Sequence, residues 1–251
     1  SSAASDVYKR QVIGFGELAE EFAKVRSDFD FVGIKRSGCS QLANVNMVNC
    51  DYSLGLPEQV TKDNYDWVIF FPKTSGNSPD DYKIGYLSQM TAINDHFPSA
   101  KKIFISSTRI YSGYSNIIVD ENTPPKPSDE QGEIIELYES EALKHGNNFV
   151  LRLGGLITHK SNFVKLVLDK QLFLDNKYIN GIFISDVINL MAKIMQEGIG
   201  QQLINVIMPK YMKYSDFDSA FKGEPINAAV KSLHYNDCLL YTSPSPRDPS
   251  I

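Results

Sequence analysis

Gly14, Gly16 and Ala19 stand at Gly-x-Gly-x-x-Ala spacing in the segment Val12-Ile13-Gly14-Phe15-Gly16-Glu17-Leu18-Ala19. Small residues at this spacing suit one task, holding the pyrophosphate of a dinucleotide. Gly14 permits a tight turn, Gly16 lets the backbone approach the phosphates, and Ala19 lets the next helix pack close to the strand. An apolar strand precedes the run and a helical pattern of Leu18, Phe22 and Val25 follows it. That order sets a helix N-terminus against the phosphate charge. Phe15, Glu17 and Leu18 complete the candidate turn. Glu17 also reads as a first-turn acid stabilised by the helix dipole.

Other candidate binding residues follow the later strands. Lys35 and Arg36 come after the second strand, where the ribose of a bound nucleotide lies. No Asp or Glu stands there to grip ribose hydroxyls, so the pair suits the extra phosphate of NADP, with NAD as the alternative. A solvated surface pair is the other reading. Asp51 faces the adenine or simply ends a strand. Pro72 and Thr74, with Ser75 and Gly76, follow the fourth strand and reach the nicotinamide ribose or form a plain loop. Ser106, Ser107 and Tyr111 end the fifth strand and follow it. His96, His145, His159 and His234 show no metal-ligand spacing, and no metal is expected.

These residues need a scaffold, and the apolar runs supply one. Strands are expected at residues 29–34, 47–51, 67–71, 102–106, 149–153 and 203–207, after the first at Val12 and Ile13. The run Trp67-Val68-Ile69-Phe70-Phe71 is continuous, as a strand buried on both faces should be. Helices are expected over 80–96, along the stripe Ile134, Tyr138 and Ala142, and along Val187, Leu190, Met191 and Ile194. Strands alternating with helices predict an α/β fold, a doubly wound parallel sheet of Rossmann-like type. A small, truncated C-terminal substrate lobe completes the expected architecture.

The two ends carry a different signal. Residues 1–11 read SSAASDVYKRQ, and Cys238 to Asp248 read CLLYTSPSPRD. Both match translations of paired transposase-type sequencing-library adaptors. The expected organisation is an adaptor-derived tail over 1–11, a dinucleotide-binding domain over 12–156, remaining sheet elements and the small lobe over 157–236, and a second adaptor-derived tail over 237–251. The natural part is then an environmental fragment, and both tails are expected to lie unpacked. Of 251 residues, 42% are hydrophobic and 22% charged, enough apolar content for a sizeable core. The net charge of −5 argues against a general nucleic-acid binder. No apolar run is long enough to span a bilayer. Cys39 and Cys50 have no Cys-x-x-Cys partner and indicate a reducing, cytoplasmic setting. The oligomeric state is not legible.

Four segments then resemble one family, the extended short-chain dehydrogenases of the epimerase/dehydratase group. Ile105-Ser106-Ser107-Thr108-Arg109-Ile110-Tyr111 is similar to its Ser-Ser-x-x-Val-Tyr segment. Asp120-Glu121-Asn122-Thr123-Pro124 resembles its acidic loop, Leu151-Arg152-Leu153-Gly154-Gly155 its Leu-Arg-x-x-Gly strand, and Asn180-Gly181-Ile182-Phe183-Ile184-Ser185-Asp186-Val187 its Asn-x-x-His-x-x-Asp-Val element. The resemblance implies a nicotinamide dinucleotide and a small carbonyl or sugar-nucleotide substrate. It also implies a catalytic Tyr-x-x-x-Lys pair, in which the Tyr moves a proton while nicotinamide moves a hydride. Here Gln131 falls in the place of the Tyr and Ile135 in the place of the Lys. The resemblance is therefore to an atypical branch. Two functions follow: an oxidoreductase or epimerase using Tyr111, Ser107 or water as substitute proton donor, or a non-catalytic NADP-binding redox sensor or scaffold.

Overall fold

The computed structural model describes residues 9–115, 117–158, 167, 169–174, 178–208 and 213–217. By contacts the chain divides into a larger unit, residues 1–152 with 191–204, and a smaller one, 153–190 with 205–251. The larger unit opens with β1 (Lys9–Ile13), α1 (Glu17–Val25), β2 (Asp30–Lys35) and β3 (Val45–Asn49). Next come a short α2 (Glu58–Thr61) and β4 (Trp67–Phe70). Helix α3 (Pro79–Tyr82) runs through a π-helical stretch (Lys83–Ser88) into α4 (Gln89–His96). Then follow β5 (Lys101–Ser107), α5 (Glu130–Ala142) and β6 (Asn148–Leu153). The fold class is as the sequence predicts: a Rossmann-like, seven-stranded sheet flanked by helices. Its order is β3-β2-β1-β4-β5-β6-β9, with β9 at Leu203–Val206.

Parallel pairing aligns Ile13 with both Ile34 and Phe70. The carboxyl ends of β1, β2 and β4 thus finish in line, and β5 continues three residues past Phe104, the partner of Phe70. Consecutive strands lie on opposite sides of β1, so the crevice at these ends is where open α/β sheets bind ligands. Burial explains the strand sequences. Every residue of β4 is buried, as its unbroken apolar run requires. Beneath the crevice, Ile13, Ile34, Val68, Phe70, Phe104 and Tyr138 share one core cluster. Asn44 ends α1 cleanly by donating to the carbonyls of Ala23, Arg26 and Phe29.

The smaller unit contains a two-stranded parallel sheet that the periodicity does not reveal. It pairs β7 (Gly155–Ile157) with β8 (Gly181–Phe183). The three-residue strands are too short to register as a pattern. Gly154 is required there, since a Cβ would sit 2.9 Å from the Asn180 carbonyl oxygen. Helix α6 (Ile184–Glu197) carries the expected apolar stripe. Among the described residues no helix is long and apolar enough to cross a membrane.

The first strand departs from expectation. Strand β1 begins at Lys9, and Arg10 and Gln11 are buried, although an unpacked tail was expected up to Gln11. Parallel backbone pairing with β2 and β4 recruits these positions whatever their side chains. Residues 1–8 and the second expected tail lie outside the described residues. The consequence is a polar burden at the sheet centre. Arg10 stacks its guanidinium 3.2 Å above the Phe29 ring. Gln11 has no exposed surface, and its amide makes no well-formed hydrogen bond, even with the neighbouring Tyr65 hydroxyl. Gln11→Met keeps the shape and removes the orphaned amide. It is expected to stabilise the protein by about 1–3 kcal/mol, read as a higher urea midpoint at unchanged slope. An unchanged midpoint would show that the amide is satisfied.

Candidate functional site

The turn after β1 is tight and pinned to β2. Gly14 has φ +86°, a conformation that favours glycine, and a Cβ there would run into the Phe71 carbonyl oxygen. The Gly14 and Phe15 amides both donate to the Ile34 carbonyl, which locks the turn onto β2. Phe15 is core: its ring fills the space a side chain at Gly33 would need. Gly16 differs from both. Its φ of −106° suits any residue, and a Cβ would meet nothing closer than 3.9 Å. The fold does not need glycine at this exposed position. Glu17, Leu18 and Ala19 form the first turn of α1, and no side chain caps it. Their amides point along the positive end of the helix dipole. Ala19 and Leu18 are buried against the sheet, and Glu17 is exposed.

The ends of β2 and β3 place the basic pair. Lys35 is half-buried, and its ammonium donates to the Cys39 carbonyl at 3.4 Å. Arg36 is exposed and close enough to Asp51 to help lower its carboxyl below the usual range. The larger cause is Ser53, whose hydroxyl and amide donate to Asp51 at 2.6 and 3.1 Å. Asp51 therefore caps a single helical turn, Tyr52–Leu54. Among the described residues, Cys39 and Cys50 are free thiols.

The loop after β4 is pinned rather than loose. Asp81 accepts from the hydroxyls of Ser75 and Ser78, both at 2.5 Å, and from the Ser78 amide at 3.1 Å. These bonds, first those from the Ser75 and Ser78 hydroxyls, lower the Asp81 carboxyl below its ordinary value. Pro72 and Thr74 are half-buried at the start of this loop.

Ser107 ends β5 and caps the following helical turn, Thr108–Tyr111, by accepting from the Arg109 amide at 3.2 Å. Ser107 as a whole is half-buried. The Arg109 guanidinium grips Asp129 at 3.2 and 2.8 Å and reaches the Gln131 side-chain oxygen at 2.9 Å. The Gln131 nitrogen then donates to the Asn77 carbonyl at 2.6 Å. Gln131 is thus an amide strap that ties the loop after β4 to the helical turn after β5. Ile135 is 1% exposed and packs with Ile110 and Tyr111.

Two expected site residues belong to a buried network instead. Ser106 donates to Glu139 at 2.5 Å. Arg152 binds the other oxygen of Glu139 through two nitrogens, at 2.8 and 2.6 Å. Arg152 also donates to the Tyr111 hydroxyl, which itself donates to the Asp120 carbonyl at 2.8 Å. The hydroxyls of Ser106 and Tyr111 are therefore committed to protein partners. Tyr111 anchors the acidic loop. Arg109 and Glu139 escaped the sequence reading. Glu139 left a signal: a carboxylate on the inward stripe of a helix, matched by Arg152 inside an apolar strand. Among the described residues no cluster of His, Cys, Asp and Glu could hold a metal ion. His159 and His234 lie outside the described residues.

No protein-family model and no curated protein sequence matches the chain. Solved structures do. The dTDP-glucose 4,6-dehydratase of Bacillus anthracis, in complex with NAD, aligns with TM-score 0.70 and 14% identity over 87% of this chain and 82% of that one. The Bordetella bronchiseptica enzyme WbmG, in complex with NAD, gives 0.69 and 13% over 89% and 80%. MoeE5, in complex with UDP-glucuronic acid and NAD, gives 0.69 and 14% over 87% and 84%. At these identities the likeness is one of fold, and the fold is the Rossmann-like sheet of these NAD-complexed enzymes.

Proposed function

We propose that the chain is an atypical member of the extended short-chain dehydrogenase superfamily that binds NADP. In this reading it acts as an oxidoreductase or epimerase on a small carbonyl or sugar-nucleotide substrate. Gly16 carries the reading. It is a glycine that neither backbone conformation nor packing demands, beside an uncapped helix N-terminus. A ligand approaching the backbone accounts for it. The dinucleotide would supply the hydride when bound. Its pyrophosphate would lie on the amides of Glu17 and Leu18, and Ser107 would orient the substrate oxygen. The NAD and UDP-glucuronic acid named with MoeE5 support this cofactor and substrate class.

Lys35 and Arg36 favour NADP over NAD in this reading, because a guanidinium and an ammonium pair well with a phosphate dianion. Arg36→Ala is expected to weaken NADPH binding roughly ten- to a hundredfold and to leave NADH binding unchanged, by fluorescence titration. Equal affinities for both cofactors, insensitive to the substitution, would remove the NADP assignment. The same titration on Gly16→Val tests the site itself: folding intact, binding of both cofactors lost.

The second reading, an NADP-binding sensor or scaffold without turnover, is favoured by one observation. Gln131 is tied at both ends of its amide, and Ile135 is buried among apolar groups. Cofactor oxidation with a panel of sugars and carbonyls separates the two readings.

A further inference from the structure

We propose that Tyr82 is the phenol that delivers the proton in place of Gln131, with Arg109 beside it as the balancing cation. The inference rests on the NADP-binding reading above. It begins with position. The Arg109 guanidinium that holds the Gln131 amide also lies over the Tyr82 ring, 5.9 Å from Cζ to the centroid. The Arg109 backbone is bound to Ser107 Oγ. Tyr82, Arg109, Gln131 and Ser107 thus form one connected group at the carboxyl ends of β4 and β5, where the resemblance puts the missing Tyr.

Elimination points the same way. The Tyr111 hydroxyl is held between Arg152 and the Asp120 carbonyl, and Tyr114 donates to the Pro124 carbonyl. Tyr138 is fully buried and donates to the Ile105 carbonyl. Burial pushes the Tyr86 phenol up to about 12, which makes it a poor proton donor at neutral pH. Tyr82 is half-buried, and among the described residues its hydroxyl makes no hydrogen bond.

The ring is also held rigidly. It stacks on Tyr86 at 5.4 Å with planes 3° apart, and Tyr86 meets buried Tyr138 edge-on at 5.2 Å. The π-helical stretch starts at the next residue, Lys83. Such stretches inside helices are frequent at functional sites.

The step balances. Bound NADPH would supply the hydride to the carbonyl carbon and leave as NADP. The carbonyl π bond breaks, and its oxygen takes the proton of the Tyr82 hydroxyl. Water then returns a proton to Tyr82, and Arg109 offsets the charge held in between.

Two measurements on the full chain test this. In the first, tetranitromethane nitrates accessible tyrosines with and without NADP. NADP is expected to shield Tyr82 in the wild type, and not in Gly16→Val. In the second, NADPH reduces butane-2,3-dione in a single turnover. Tyr82→Phe keeps the stacked ring and is expected to bind NADPH as the wild type does, yet to transfer hydride about a hundredfold more slowly or worse. Wild-type rates in Tyr82→Phe, or bound NADP that leaves Tyr82 open to nitration, would overturn the assignment. Failure of the wild type to bind NADPH would strike the nucleotide reading instead.

Discussion

Arg152→Met alone is expected to lower stability by about 3–5 kcal/mol, the usual cost of stranding one partner of a buried ion pair. The side chains of Arg152 and Glu139 are 4% and 3% exposed, so no solvent can reach the survivor. Burial pushes the Glu139 carboxyl up from its ordinary range, and the two Arg152 hydrogen bonds pull it back. Without Arg152, Glu139 must bury a bare charge or take up a proton. Glu139→Gln strands the guanidinium and is expected to be similarly damaging. The double variant Glu139→Leu with Arg152→Met is the informative control. Both charges leave together, and most of the loss should return. A residue of about 1–3 kcal/mol should remain, because Ser106 and Tyr111 each lose a buried partner. Urea unfolding of all three variants checks this. Single variants within about 1 kcal/mol of the wild type would mean that the pair is hydrated.

The same network links stability to the site. Tyr111 holds the Asp120 carbonyl, and Asp120 in turn accepts from the Asn122 and Thr123 amides and the Thr123 hydroxyl. Loss of Arg152 should therefore loosen the acidic loop before it unfolds the sheet.

The fold was legible because its signals are local. Continuous apolar runs such as 67–70 demand a strand covered on both faces, and the glycine turn fixes where the first helix begins. The site was legible in part. Spacing singles out Gly14 and Gly16 as candidates, and the absence of an acid singles out Lys35 and Arg36. For Tyr111 and Ser106 the motif gives residue types and not the direction of a hydroxyl. Both turn toward Glu139 and Arg152, which are far from them in sequence. The Arg109–Gln131–Asn77 strap was hidden for the same reason: a helical turn, a helix and a loop contribute one group each. Burial of Arg10 and Gln11 was hidden because backbone pairing, rather than side-chain pattern, extends β1 to Lys9. Strands β7 and β8 were too short to show a period.

Lys102 offers the test that reads burial as a pH dependence. It stands in β5 with 1% exposure, and its ammonium donates to one carbonyl, that of Ala100, at 3.0 Å. Burial lowers its pKa from 10.5 to about 8. Between those values the unfolded chain binds the proton and the folded chain does not, so stability rises with pH across that window. Below about pH 8 the folded chain carries the full penalty of a buried ammonium. The shift corresponds to about 3 kcal/mol at most. Lys102→Met keeps the stem and removes the charge. It is expected to stabilise the protein by about 2–3 kcal/mol at pH 7, and the gain should fade as pH approaches 10.5. Tyr65 and Tyr86, both pushed up to about 12, act in the opposite direction, since their contribution is lost as pH climbs above 10. They are common to both proteins and cancel in the difference. The quantity to measure is therefore the gap between the two urea-derived stabilities at pH 7, 8, 9 and 10. A gap that narrows with rising pH confirms a buried charge. A constant gap would mean that the ammonium reaches water and that methionine acts only by packing.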